Sequence, residues 1–297
     1  MACSSLYTTL GPFEIGLALS TLLLGIETLQ TFYYYRRYKR DSAQMKIFVG
    51  FVWICGLLQS IFAWNAMFTM TITFFGNPEH VAEPPVSMLY NIIDSTALTL
   101  FVQAFFCLRI YRLSHSKPLA IFCFALILIP TGLYFWLFSM YYTRGGFARS
   151  LGSAQGHKVM IAAAALTPVS ACAVAGTLCW CLWRMKDPDQ FRRTRSVVDR
   201  IMLWTVETTL VTSLASVLEL IMIVAQPHNM LWLIFFFLHG KLLTNTLVAS
   251  LNSRERFGRE FNEHASELRT SPGQTAVSNR LVHLASDVTK TMSEEFV

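Results

Sequence analysis

The sequence predicts an all-α, polytopic membrane protein with seven transmembrane helices. Hydrophobic residues make up 54% of the 297-residue chain, and charged residues make up only 14%, well below the roughly 25% of soluble domains. Helices are expected because a membrane strand is about half as long and alternates in polarity. Each long apolar run exceeds the approximately 20 residues that a helix needs to cross a bilayer, and the runs cover roughly 11–34, 46–75, 87–110, 118–141, 157–183, 201–225 and 230–251.

The first run is predicted to be an uncleaved span whose N-terminus lies outside. A signal peptide carries positive charge before its apolar core, but no Lys or Arg precedes Arg36 in this chain. The basic cluster "YYYRRYKR" (Tyr33–Arg40) follows the run instead. Positive charge after a span is typical of a helix that enters the cytosol at that end.

Spans two to five are separated by short connections. The loops on the predicted outer side, at 76–85, 143–156 and 226–229, are too short to fold into domains. Spans four and five contain Pro130 and Pro168, which membrane helices tolerate. Because the outer loops are too short to form a domain, any ligand from outside must enter between the helices.

The distribution of basic residues predicts a cytosolic C-terminus. Loops on the outer side contain Arg144, Arg149 and Lys158, and Lys241 lies within a span. The other Lys and Arg residues lie on the opposite side, at 36–46, 109–117, 184–200 and after 252. This asymmetry follows the positive-inside rule. It explains the net charge of +6 without nucleic-acid binding, which is not expected.

Two regions are predicted along the chain. Residues 1–251 form the transmembrane domain, and residues 252–297 form a cytosolic tail. Phe257 and Phe261 share a helical face beside several arginines, which predicts a juxtamembrane amphipathic helix ending near Leu268. The end of the tail is predicted to be disordered. The third inner loop (184–196) and the tail are the surfaces at which a cytosolic partner is expected.

Span six has a polar face. Thr212, Ser216 and Glu219 lie within about 100° of three further threonines when residues advance by 100° each. The hydroxyls either bond back to their own helix and join neighbouring helices, or they line a cavity with Glu219 at its outer end. Both interpretations stay open from the sequence.

Span seven contains Lys241, and an intramembrane lysine indicates a working site. Lys241 is predicted to lie about 16 Å deep, with Asp94 of span three and Glu219 at about 10 Å and 9 Å. The lysine is therefore expected to pair with Asp94, Glu219 or both, with Asn245 and Thr212 completing its hydrogen bonds. Glu27 and Glu207 are expected nearer the cytosolic side and are poorer partners. The lysine is then either a structural clamp or part of a cavity in which a ligand or a proton competes for it. The candidate site comprises Lys241, Asp94, Glu219, Asn245, Thr212 and Ser216.

Three segments carry a resemblance to a known family. They are "LFVQAFFCLRIYRLS" (Leu100–Ser114), "SVVDRIMLWTVETTLVTSLASVLELI" (Ser196–Ile221) and "HGKLLTNTLVASLNSR" (His239–Arg254). The chain resembles a seven-span family of mushroom-forming fungi that is catalogued as a domain of unknown function. Leu243 stands where that family usually has Tyr. The resemblance implies seven spans and a fungal membrane, and it implies no activity.

These observations predict a receptor- or sensor-like membrane protein that takes a small or lipophilic ligand. A small-solute or lipid transporter is the alternative. An enzyme is not expected, because the chain shows no His cluster, metal-ligand spacing or nucleophile motif; no cofactor or metal is expected either. A retinal protein is disfavoured, because Phe237 stands four residues before Lys241 where such a protein needs Asp. The lipid bilayer is the expected surrounding, and the sequence does not distinguish plasma membrane from endomembrane.

Overall fold

A computed structural model of the chain describes residues 2–39, 41–75, 85–144, 153–184, 192–226 and 229–269. Every regular element in these segments is a helix, and we number the α-helices in chain order. They are α1 (Ala2–Arg37), α2 (Ala43–Phe68), α3 (Val86–Ser114), α4 (Lys117–Arg144), α5 (Ala154–Arg184), α6 (Arg192–Ala225) and α7 (Trp232–Arg269).

All seven helices of the described segments are long and apolar enough to cross a membrane. This confirms the predicted fold class and the multi-pass membrane protein. Because the number of spans is odd, α1 begins and α7 leaves the bundle at opposite faces. We call the face at which α1, α3, α5 and α7 begin the amino end of the bundle. The assignment of that end to the outside stays a prediction from loop charge.

Local chemistry shapes the ends of the helices. The side chain of Ser42 caps α2 by accepting a hydrogen bond from the backbone N–H of Met45, a typical role of serine before a helix. The last turn of that span, Thr69–Thr73, is π-helical. His115 ends α3 in the left-handed conformation, with φ 51°, and its N–H donates to the carbonyl of Tyr111 at 2.9 Å. This turn lets α4 begin at Lys117.

The helices pack as a closed ring in which consecutive helices are neighbours and α7 returns to α1. Helix α3 also contacts α5 and α7, and α7 also contacts α2. Within the most apolar window of each span, 61% of the residues of α7 are buried, against at most 39% for the others. A polar group on the inward face of α7 is therefore held in the centre of the protein.

Close packing of α1 on α7 depends on a glycine. A Cβ atom at Gly16 would lie 2.9 Å from the Cα of Ile234, closer than two carbon atoms can approach. Beside it, the rings of Phe13 and Phe237 are in contact at a tilt of 30° with centroids 5.4 Å apart, in an apolar cluster that also contains Leu233. This cluster fixes the amino ends of the two helices against each other.

Helix α7 continues past the end of the seventh span. Trp232–Ser253 is the membrane-spanning part, and the helix runs on without interruption to Arg269. The side chains after Ser253 and the residues 270–297 lie outside the described residues. The predicted surface position of the tail helix and the disordered end therefore stay predictions.

Candidate functional site

Lys241 lies at the middle of the bundle with its side chain fully buried. Its ammonium donates a hydrogen bond to the backbone carbonyl of Gly56 on α2. Two carboxyl groups, Glu27 of α1 and Asp94 of α3, act electrostatically on the same ammonium. One side chain of α7 thus interacts with three other helices, and we call Lys241, Glu27 and Asp94 the lysine centre.

Glu27 is fully buried and is held from two sides. The hydroxyl of Thr244, on α7, donates to Glu27 Oε2 at 2.9 Å. On α2, a Cβ atom at Gly56 would lie 3.0 Å from both carboxylate oxygens. The missing side chain at Gly56 therefore makes room for the carboxylate beside the carbonyl that Lys241 binds.

Asp94 approaches the lysine centre from α3. The thiol of Cys55, on α2, lies beside the Asp94 carboxylate. Cys55 is buried, and a thiol is only a weak donor. Asp94 therefore receives less compensation for its burial from the protein than Glu27 does.

A seam of hydrogen bonds joins α1 to α7 around the lysine centre. The Asn245 amide donates to the carbonyl of Leu23 at 3.1 Å and to the carbonyl of Lys241 at 2.8 Å. Nearer the end of the bundle opposite the amino end, the Asn252 amide donates to the carbonyl of Gln30 at 2.8 Å. Side-chain amides that reach backbone carbonyls across helices are typical of membrane interfaces. They fix the rotation of α7 that points Lys241 inward.

Several buried polar atoms at this level have no hydrogen-bond partner in the described part of the chain. They are Glu27 Oε1, Asp94 Oδ2, Asn245 Oδ1 and both polar atoms of the Gln59 amide. Gln59 lies against Gly240, at 3.0 Å from the position of a Cβ there. Because unpaired buried polar groups cost free energy, the region has spare capacity to bind a proton or a small polar group.

The polar face of α6 points into the bundle and lines what we call the threonine cavity. Thr208, Thr209 and Thr212 line it opposite Gln103 of α3 and Leu243 of α7. The Thr212 hydroxyl donates to the carbonyls of Thr208 and Thr209. Ser216 donates to the carbonyl of Thr212 at 3.0 Å. These hydroxyls thus bond back to their own helix while their helix face borders a cavity.

Glu219 lies in a different place from the lysine centre. It lines two adjoining cavities, which share Glu219, Tyr134 and Phe236 and which we call together the glutamate cavity. His239 lines the deeper part, although it points away from the Lys241 face of α7. Glu219 and His239 are both buried. His239 and Tyr134 are not among the residues that the sequence predicts for the candidate site.

Residues 168–256 match a family described as a family of unknown function, DUF6534. No curated protein and no solved structure matches the chain. The matched segment runs from Pro168 in α5 to Arg256 in α7. It contains two of the three segments on which the sequence resemblance rests, and the fungal assignment stays a prediction.

The DUF6534 segment contributes only part of each site. Lys241 and Glu219 lie inside it, whereas Glu27 and Asp94 lie outside it. Both partners of the lysine are therefore supplied by the amino-terminal half of the chain. No activity follows from the DUF6534 match itself.

The structure does not bring the six candidate residues together in one site. Lys241, Asp94 and Asn245 lie together at the lysine centre, although Asn245 donates to the backbone of Lys241 and not to the ammonium. Thr212 lines the threonine cavity and Ser216 bonds to its own helix. Glu219 lines the glutamate cavity. Glu27, which the sequence predicts to be a poorer partner of the lysine, lies beside Lys241.

The positions of the ends of α1 and α7 explain why Glu27 lies beside Lys241 and not nearer the cytosolic side. Helix α1 continues to Arg37, so Glu27 lies about 15 Å from that end at 1.5 Å per residue. Lys241 lies about 18 Å from Ser253, the end of the seventh span, by the same measure. The two residues are therefore at similar depth. Counting from Arg36 and Arg37, and not from the end of the apolar run, would have indicated this.

Proposed function

We propose that this integral membrane protein is receptor- or sensor-like, and that the lysine centre is its switch. The observation that supports the proposal is that the buried Lys241 ammonium on α7 interacts with α1, α2 and α3 at once. A change at this single group alters the contacts of α7 with three helices. Switches in proteins are local charge changes that bias an element with two arrangements.

The charges of the lysine centre suit a switch better than a plain clamp. The centre combines one amine with two carboxyl groups, Glu27 and Asp94. A single lysine can neutralise only one carboxylate, so the centre is neutral only when it also holds a proton or another cation. Since a net charge is costly in a low-dielectric interior, the gain or loss of that cation changes how tightly α7 is held.

Helix α7 also provides a route for the response. It runs unbroken from Trp232 to Arg269, so a tilt or shift at Lys241 moves the helical part of the tail. Rigid displacement of helices is a common form of switching. The tail and the third inner loop are the surfaces at which a cytosolic partner would read the change.

The proton serves as the probe in a direct test. Spin labels are placed at Tyr33→Cys on α1 and Leu210→Cys on α6, two side chains that face outward, after Cys3, Cys172 and Cys179 are replaced by Ala. Double electron–electron resonance in lipid nanodiscs then gives the distance between the labels from pH 5 to pH 9. We expect two distances whose proportions change with pH.

The control is the double variant Lys241→Met with Glu27→Gln, which removes the charge pair. We expect its distance distribution to stay constant over the same pH range. If the labelled protein with an intact lysine centre shows a distance distribution that does not change between pH 5 and pH 9, the sensor proposal is contradicted. A pH response that persists unchanged in the double variant places the response elsewhere and also contradicts it.

One observation favours transport as the second candidate. Gln103 of α3 lines both the threonine cavity and the glutamate cavity, so a single buried side chain lies between two cavities at different depths. Liposomes that contain the protein are assayed for proton flux with pyranine and for movement of a fluorescent phospholipid. Transport predicts flux above that of empty liposomes and a changed rate with Gln103→Leu; flux equal to empty liposomes contradicts transport of these two probes.

A further inference from the structure

The glutamate cavity contains a carboxyl group, Glu219, for which the described residues supply no counter-charge. Glu219 is 5% exposed, and it lines both parts of the cavity. Within the described residues it accepts no hydrogen bond and forms no ion pair. Lys241, the buried cation of the bundle core, is engaged with Gly56, Glu27 and Asp94. Among the described residues Glu219 therefore has no partner, and its carboxyl group is available to a ligand.

The walls around Glu219 are aromatic and aliphatic. Tyr134, Phe138 and Tyr141 of α4 face Trp232 and Phe236 of α7 across the part of the cavity near the amino end. The faces of aromatic rings attract cations, and the attraction is larger where water is excluded. An anion would be repelled both by the Glu219 carboxylate and by the negative faces of the rings.

From this arrangement we propose that the glutamate cavity is a binding site for a lipophilic amine. The protonated amine forms the ion pair with Glu219, and its apolar body lies among the aromatic rings. Such an ion pair compensates a carboxylate that is otherwise costly at this depth. A neutral molecule of the same shape lacks the charge, and a carboxylic acid is repelled.

The deeper part of the cavity adds polar groups that orient a ligand. His239, Thr131, Thr167 and the ring of Tyr134 line it. His239 forms no hydrogen bond to any described residue, so its ring nitrogens are available to a polar substituent on the ligand. The two parts have volumes of about 50 Å³ and about 30 Å³. Since one water needs about 10–15 Å³ by this measure, the amine is a small one.

This site does not rest on the proposed function. A lipophilic amine bound at Glu219 would be a ligand for a receptor or a substrate for a transporter. The distance measurement tests the lysine centre, and the binding measurement described next tests the glutamate cavity. Either proposal can therefore fail without the other.

The test compares three probes with the same aromatic body in the full-length protein in lipid nanodiscs. They are phenethylamine, phenethyl alcohol and hydrocinnamate, and saturation-transfer NMR with titration gives the affinity of each. We expect phenethylamine to bind at least about tenfold more tightly than the other two, in keeping with the contribution of a buried charge pair. Equal affinities, or tighter binding of the alcohol or the acid, overturn the proposal.

A matched pair of variants locates the site. Glu219→Gln removes the charge and keeps the shape, whereas Glu207→Gln removes a carboxyl group of the same helix that is exposed. We expect phenethylamine affinity to fall at least about tenfold in the first variant and to stay unchanged in the second. Unchanged affinity with Glu219→Gln overturns the site. If that variant does not fold, Glu219→Asp replaces it: amine selectivity should remain with weaker binding, and unaltered binding contradicts the site.

Discussion

The ammonium of Lys241 donates its hydrogen bond to the carbonyl of Gly56, a residue 185 positions earlier in the chain. The same glycine leaves room for the Glu27 carboxylate, whose oxygens lie 3.0 Å from where a Cβ would stand. A single position of α2 therefore brings the lysine and its carboxylate together. This relationship makes the stability of the bundle depend on a buried charge.

Replacing Lys241 by Met should destabilise the protein by about 3–5 kcal/mol, because the carboxylates beside it would remain buried without their cation. Adding Glu27→Gln should restore part of the loss, and it should restore more than Asp94→Asn does, since Glu27 is the more deeply buried carboxyl group. Unfolding is followed in detergent by thermal denaturation and by titration with a denaturing detergent.

Lys158→Met is the control for this series, because Lys158 is exposed at the start of α5. It should change the stability by less than about 1 kcal/mol. Additive effects of Lys241→Met with either carboxylate substitution would show that the three groups do not interact.

Replacing Gly16 by Ala should destabilise the contact between α1 and α7. The added Cβ would lie 2.9 Å from a backbone atom of Ile234, and a backbone cannot rotate away as a side chain does. Overpacking of this kind costs about 1–3 kcal/mol. The measurement is again thermal denaturation, and Gly25→Ala on the same helix is the control, since no atom lies within 4 Å of its added Cβ. Equal stability of the two variants would contradict the close approach.

The orientation of the bundle is tested with epitope tags before Met1 and after Val297. The chain is synthesised in the presence of microsomes, whose outer surface is the cytosolic one, and protease is then added. We expect the tag after Val297 to be digested and the tag before Met1 to be protected until detergent opens the vesicles, as the positive-inside rule requires. Digestion of the tag before Met1 with protection of the tag after Val297 would show that the topology is the inverse of the predicted one.

A peptide of residues 253–268 should be helical on anionic vesicles and less so on neutral ones. Phe257 and Phe261 supply the apolar face, and the arginines beside them supply attraction to anionic lipid. Circular dichroism measures the helix content, and a peptide with both phenylalanines replaced by Ser is the control. Equal helix content of the two peptides on anionic vesicles would show that the apolar face does not anchor the helix.

The seven spans follow from the sequence alone. The length of an apolar run decides whether a helix crosses a bilayer, because unpaired backbone groups are not tolerated there. It also singled out Lys241, since a charged residue within such a run is rare and costly. The spacing on α6 predicted one polar face for Thr212, Ser216 and Glu219, and all three side chains are buried.

Which carboxyl groups lie beside Lys241 depends on the packing of the helices. That choice depends on how far each helix extends beyond its apolar run and on the rotation of each helix about its axis. Helix α1 extends to Arg37, which brings Glu27 to the depth of Lys241, and the Asn245 and Thr244 contacts turn α7 toward α1. Glu219 is on α6, which borders the other side of α7. These rotations arise from packing between segments that are distant in the chain.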